Sequence, residues 1–244
     1  MNIAILGAGS GMAVEIGRIY AARGDALFLL DIKADDLEAI RDDLLVRGAA
    51  KAEAMVLDLA APPSYDATLQ EIATKLSGID VLVIAYGILG DQARAKDDLS
   101  HARAILDTDF TSPALWMLAA AKVVKPSGVI AVFSSVAGDR GRQSNFIYGA
   151  AKGGLALVAQ GLAHDLAATG PHIVAVKPGT VITPMTAGMA RRGPLWADAK
   201  TIARIVVKAI DKKRGPIVYA PWFWRWIMLI IRLIPAPIFH KTKL

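Results

Sequence analysis

Tyr148 and Lys152 stand four residues apart in Tyr148-Gly149-Ala150-Ala151-Lys152, a spacing that puts both side chains on one face of a helix. A tyrosine with its ordinary pKa of about 10 exchanges protons poorly at neutral pH. An ammonium held beside it favours the phenolate, so Lys152 is expected to lower the tyrosine's pKa towards the working range. Ser135, thirteen residues upstream of Tyr148, offers a hydroxyl that can hydrogen-bond a reacting oxygen. Tyr-x-x-x-Lys alone is commonplace and ordinarily marks a solvated helical face. It gains meaning only if the same chain also binds a redox cofactor.

The N-terminus supplies that second element. Gly7-Ala8-Gly9-Ser10-Gly11-Met12-Ala13 follows the apolar run Ile3–Leu6 and opens a helix through Glu15–Arg23. A strand, a glycine turn and a helix N-terminus form an anion site, because free backbone N–H groups and the helix dipole face the ligand. The spacing G-x-G-x-x-G fails, since Met12 holds its third position; G-x-x-x-G-x-G fits better, with Gly7, Gly11 and the small Ala13. Asp31 ends the next apolar run. A carboxylate there can accept from both adenosine ribose hydroxyls and repels a 2′-phosphate, which favours NAD(H), with NADP(H) still open because Lys33 lies close. The alternative role for Asp31 is a cap for a helix beginning near Ala34.

These groups need a scaffold. Strand-length apolar runs (Ile3–Leu6, Ala26–Leu30, Ala54–Leu57, Val81–Ala85, Val129–Phe133 and Ile173–Val176) alternate with stretches able to hold helices. That alternation predicts an α/β fold, a three-layer, doubly wound, Rossmann-like parallel sheet in a single domain. The domain is expected over residues 1–220, with an apolar, basic tail over 221–244. The chain has no cysteine, which excludes disulfides and thiolate chemistry. Its four histidines make no metal-ligand spacing, so no metal is expected. The first residues lack a basic leader, and a cytoplasmic location is the expectation.

Over nearly the whole chain to about residue 220, the sequence resembles the short-chain dehydrogenase/reductase family. The matching pieces are the Gly7–Ala13 turn, Asp58, Ser134-Ser135-Val136-Ala137-Gly138, the Tyr148/Lys152 pair and Pro178-Gly179-Thr180-Val181-Ile182-Thr183. The resemblance implies a nicotinamide-dependent oxidoreductase interconverting a ketone and a secondary alcohol. Gly7, Ser10, Gly11 and Met12 would cradle the dinucleotide, Asp58 and Leu59 would hold adenine, and Ala85 and Gly87 would line the site. Pro178, Gly179, Val181 and Thr183 would hold the nicotinamide end. Tyr148 would exchange the proton, Lys152 would bind the nicotinamide ribose, and Ser135 would orient the carbonyl. Assembly as a homo-oligomer is also implied. Two positions depart from the pattern: Ala85-Tyr86-Gly87 replaces the usual Asn-Ala-Gly, and Asp109 takes the place of a catalytic asparagine. There Asp109 is counted with the catalytic residues, and its charge would tie up Lys152 or shift its pKa. Within the family the chain most resembles reductases grouped with the second subunit of the decaprenylphosphoryl-ribose 2-epimerase pair, through Gly90-Asp91-Gln92, Gly138–Asn145 and the aromatic tail. That likeness implies a lipid-linked keto sugar as substrate, against the broader class of small-molecule ketones.

The tail has its own physics. From Lys177 onward 13 basic residues face 2 acidic ones, although the whole chain carries only +6. Trp222 to Ile234 would span about 20 Å as helix, too short for the ~30 Å of a bilayer core. Tryptophans among aliphatic residues, with arginines at one edge, describe a helix lying on an anionic membrane surface through residues 222–240, at the inner face of the cell membrane. A subunit seam and a lid over the substrate are the competing readings, and nucleic acid has no recognition motif to support it. A second hypothesis for the whole chain is a catalytically weak dinucleotide-binding adaptor that uses this tail for membrane or partner contact.

Overall fold

The apolar runs become strands: β1 (Asn2–Leu6), β2 (Ala26–Asp31), β3 (Lys51–Val56), β4 (Ile79–Ile84), β5 (Val124–Phe133) and β6 (His172–Pro178). In this computed structural model, which describes residues 1–188 and 193–242, they lie parallel; Lys243 of the tail falls outside the described residues. A short parallel pair, β7 (Thr180–Ile182) with β8 (Trp196–Asp198), follows β6. The strand β9 (Ile217–Ala220) then joins the main sheet in the order β3-β2-β1-β4-β5-β6-β9. This last strand is absent from the sequence expectation. It has four residues, sits between Pro216 and Pro221 and follows the basic run Lys212–Arg214, all signals of a loop.

Helices cover both faces. On one face α1 (Gly11–Ala21), α2 (Ala34–Val46) and, later in the chain, residues 199–211 contribute Ile16, Tyr20, Leu37, Leu44, Ile202 and Val206 to one apolar cluster. On the other, α3 (Tyr65–Leu76) and two further helices bury Leu69, Ile72, Trp116, Met117 and Leu155 in a second. Between these come α4 (Gln92–Asp97), α5 (Leu99–Leu106), α6 (Ser112–Ala120), α7 (Phe146–Asp165), α8 (Ala199–Asp211), α9 (Trp224–Leu233) and α10 (Ala236–Phe239). A five-residue π-helical stretch, Asp107–Thr111, joins α5 to α6. Strand order reverses between β1 and β4, which opens a crevice at their C-terminal ends, where doubly wound sheets bind ligands.

Among the described residues α7 alone has the length and hydropathy to cross a bilayer. It carries Tyr148 and Lys152 and buries Leu155 and Ala159 in the core, so its apolar character belongs to packing. The tail breaks at Pro235 into α9 and α10. The inner face of α9 presses Trp224 and Met228 onto Val136, while Trp222, Trp226, Ile230 and Leu233 stay exposed. Arg140 ties the tail down. Its Nη1 donates to the carbonyls of Ile231 (2.6 Å), Arg232 (3.0 Å) and Ile234 (2.7 Å) at the end of α9. The same guanidinium stacks 3.9 Å from the Phe239 ring centroid.

Candidate active site

Gly7 leaves β1 with φ +84°, and a Cβ there would lie 2.6 Å from the Tyr86 backbone nitrogen. Glycine is therefore required both by its dihedral angle and by the close passage of the chain leaving β4. The turn delivers Ser10 as the N-cap of α1, yet no side chain caps this helix and no acid lies in its first turn. Its free N–H groups are available to an anion in the crevice. The Asp31 carboxylate crosses the turn, accepting from the N–H of Gly9 and of Ile32, both at 2.8 Å. It does not cap α2, whose N-cap is Lys33; the neighbouring glycine amide claims the carboxylate instead.

Tyr86 explains one departure from the family pattern. Its Oη lies 2.6 Å from Ser112 Oγ, and both hydroxyls gather on the Leu59 carbonyl together with Trp116 Nε1 at 3.0 Å. This buried polar knot fastens the segment after β3 to the exit of β4 and the start of α6. Asp58 Oδ1 accepts from the Ala60 N–H at 2.9 Å, which shapes the turn that brings Asp58 and Leu59 to the crevice.

The reactive end lies where β4, β5 and α7 meet. Lys152 is buried, donating from Nζ to Asp109 Oδ1 at 3.0 Å and to the Phe133 carbonyl at 3.2 Å. Its Nζ sits 5.9 Å from the Tyr148 ring centroid. Asp109 is fully buried, and Oδ1 also accepts from the Ile88 N–H at 3.2 Å while Oδ2 has no partner. Gly87 has no room for a Cβ, which would collide with this carboxylate. Ser135 caps the short 3₁₀ turn Val136–Asp139, taking the Ala137 N–H at 3.1 Å.

The electrostatics differ from the sequence expectation. Burial pushes the Tyr148 phenol above its ordinary value; Lys152 and the Ser135 hydroxyl oppose this, and Asp109 adds to it. Burial would lower the Lys152 pKa, but the Asp109 carboxylate, with Tyr148, holds the group above its usual value as an ammonium. Asp109 thus opposes part of the field that Lys152 exerts on the phenol. The expected lowering of Tyr148 is not found, because desolvation and a buried counter-charge outweigh the lysine.

A cavity of about 750 Å³ runs from the glycine turn to these side chains. Gly7, Ser10, Gly11, Met12 and Asp31 line it, as do Asp58, Leu59, Ala85 and Gly87. Ser135, Tyr148, Lys152, Pro178, Gly179, Val181 and Thr183 line it too, with Thr183 beside Gly11. Asp109 is not among the lining residues; it meets Lys152 from the protein side. A dinucleotide fits this donor set, since an uncapped helix N-terminus meets the pyrophosphate requirement and a carboxylate stands beside the turn. Among the described residues no cluster of His, Cys, Asp and Glu could hold a metal.

Among the lining residues that the sequence reading did not place in the site are Arg142, Asn145 and Trp224. Arg142 and Asn145 lie in the Gly138–Asn145 segment, yet nothing in their spacing marks them as site residues. Trp224 was assigned to a membrane-facing tail. The structure turns it inward onto Gly179, where no Cβ would fit.

Comparison with known proteins agrees with this geometry. Residues 1–192 match the family model described as short chain dehydrogenase. An uncharacterized oxidoreductase of Mycobacterium tuberculosis is 35% identical over 98% of this chain and 96% of its own. Trans-4-hydroxycyclohexanecarboxylate dehydrogenase of Sinomonas cyclohexanicum is 31% identical over 81% of this chain and 80% of its own. The crystal structure of levodione reductase superposes with a TM-score of 0.80, covering 91% of this chain and 96% of its own at 22% identity, a likeness of fold. The chain belongs to the short-chain dehydrogenase/reductase family. It is an oxidoreductase of that type, and the family uses NAD(P)(H).

With Tyr148 as the base for alcohol oxidation, the expectation from the family resemblance, the rate would rise as pH passes upward through its pKa. Asp109 raises the pKa; Asp109→Asn is therefore expected to move the rise to lower pH and leave the neutral-pH rate equal or higher. A pH–rate profile checks this. A rise that stays put or moves to higher pH, or a loss beyond about tenfold, would contradict it.

Proposed function

We propose that the protein interconverts a ketone and a secondary alcohol with NAD(H) as the preferred cofactor. One observation carries the reading: Ser135, Tyr148 and Lys152 line the same cavity as the uncapped glycine turn. A bound nicotinamide dinucleotide supplies or accepts the hydride. In reduction, the Tyr148 Oη proton passes to the substrate oxygen, which becomes the alcohol hydroxyl; in oxidation Tyr148 takes the proton back. Ser135 holds the same oxygen in place, and the Lys152 ammonium favours the phenolate formed in reduction. Asp31 supports NAD(H), since a 2′-phosphate would meet two carboxylates, Asp31 and Asp36, against the single cation Lys33 at that end of the cavity.

For the substrate we favour a hydrophobic or lipid-linked ketone, a keto sugar in particular. The support is the apolar outer face of α9, where Trp226 and Ile230 are 54% and 65% exposed, beside the basic C-terminal third. Tryptophan and aliphatic side chains on a cationic segment suit an anionic lipid surface. Homo-oligomerisation is supported by Leu115, Leu118 and Leu157, exposed apolar side chains on α6 and α7. The weak-adaptor reading loses ground, since the site keeps its reactive groups around an open cavity.

Fluorescence titration is expected to show tighter binding of NADH than of NADPH. Tyr148→Phe should keep NADH affinity and lose at least about a hundredfold in turnover. Tighter NADPH binding would overturn the role of Asp31, and an active Phe variant would overturn that of Tyr148.

Flotation tests the surface. Wild-type protein is expected to rise with vesicles containing anionic phospholipid, and Trp226→Ser with Ile230→Ser to lose most of that binding at unchanged melting temperature. Truncation at Pro221 is unsuitable, because it also removes Trp224 and Met228 from the body. Absence of flotation, or flotation indifferent to the pair, contradicts membrane contact.

A further inference from the structure

Arg142 lines the reactive end of the cavity with its charge unmet. Its Nη2 donates only to the Met228 thioether at 3.4 Å, a weak acceptor. Its Nε is buried without a partner, and among the described residues no carboxylate forms an ion pair with it. The nearby acid on the same segment is already committed: Asp139 accepts from Lys177 Nζ and, at 2.8 Å, from Tyr219 Oη. Burial holds the Arg142 guanidinium below its ordinary pKa, with Asp139 offsetting part of that effect. Two more polar atoms at this end are buried and unpaired, Asn145 Oδ1 and Trp224 Nε1. Trp224 and Met228 lie one turn apart on the inner face of α9, so the indole N–H and the guanidinium belong to one wall.

A half-buried guanidinium whose Nε is shut from water without a partner costs stability, as do buried donors without acceptors. A site that collects a cation and an N–H donor on one wall, with nothing of its own to pair them, is built for an anion. We propose that the substrate carries an anionic group, a carboxylate or a phosphate, which binds Arg142 with the Trp224 indole N–H while the reacting carbonyl meets Ser135 and Tyr148. Asn145 would accept from a hydroxyl on the same molecule. Arginine suits the task, because its planar fork meets two oxygens of either anion at once. This assignment deepens the ketone-reductase reading and rests on it.

The test uses full-length protein saturated with NADH and two pairs of probes, titrated by calorimetry. One pair is 4-oxocyclohexanecarboxylate and its methyl ester; the other is a ketose phosphate and the unphosphorylated ketose. The anionic member of at least one pair is expected to bind about tenfold or more tightly than its neutral partner, and the responding pair tells carboxylate from phosphate. Arg142→Met should erase that preference and melt at or above wild type without ligand, because no ion pair is lost. Arg142→Lys should retain part of it. Equal affinity within both pairs, no binding of any probe, or a preference that survives Arg142→Met would overturn the proposal. A fall in NADH affinity in Arg142→Met would assign the guanidinium to the dinucleotide instead. Failure of wild-type protein to bind NADH is a different result, which removes the oxidoreductase site reading itself.

Discussion

The buried ion pair between Lys152 and Asp109 holds the reactive end of this protein together. Lys152 comes from α7, Asp109 from the π-helical stretch before α6, and the Phe133 carbonyl from the end of β5. The Ile88 amide, beyond β4, completes the set. Four segments far apart in sequence meet at two charges, and Gly87 leaves the space they need. Taking two charges out of water costs several kcal/mol per ion, and only close pairing with added hydrogen bonds compensates. The pair is therefore a demanding way to join elements. Its return is a fixed ammonium beside Tyr148 whose pull on the phenol Asp109 partly opposes. Asp109 Oδ2, buried and unpaired, shows that the network is incomplete on its own.

The same economy of partners governs the opposite wall. Arg140 spends its guanidinium on the three carbonyls ending α9, and Lys177 with Tyr219 occupies Asp139. These contacts dock the tail on the 3₁₀ turn after Ser135 and carry Trp224 to Gly179. The tail thus has two faces with separate tasks. Its inner face closes the cavity where a substrate must sit, and its outer face presents tryptophan and aliphatic side chains outward. A helix amphipathic in this sense reads from the sequence as interfacial throughout, because hydropathy alone cannot distinguish an apolar face that packs from one that waits.

Much of the site was legible because its signals are local. The glycine turn, the Tyr148/Lys152 spacing and six strands are short-range patterns set by backbone sterics and burial. Every residue assigned to the dinucleotide from the turn, from the β4 exit and from Pro178–Thr183 lines the cavity. What was hidden depends on partners distant in sequence. The Asp109 role follows from its contact with a lysine 43 positions on, and the orphaned state of Arg142 follows from Asp139 being taken by Lys177 and Tyr219. The raised Tyr148 pKa results from burial, which no spacing rule reports. Strand β9 was missed because its prolines and basic flank mimic a loop, although pairing with β6 satisfies its backbone.

Burial, with Asp109 working against Lys152, leaves Tyr148 a weak acid in the protein before cofactor and substrate arrive. Ultraviolet difference titration of the cofactor-free protein, with Tyr148→Phe as the reference, reads that ionisation directly. The account predicts that the Tyr148 phenol ionises above the ordinary tyrosine value of about 10. Ionisation well below that value, with Asp109 in place, would show that Lys152 governs the tyrosine unopposed and would contradict the account.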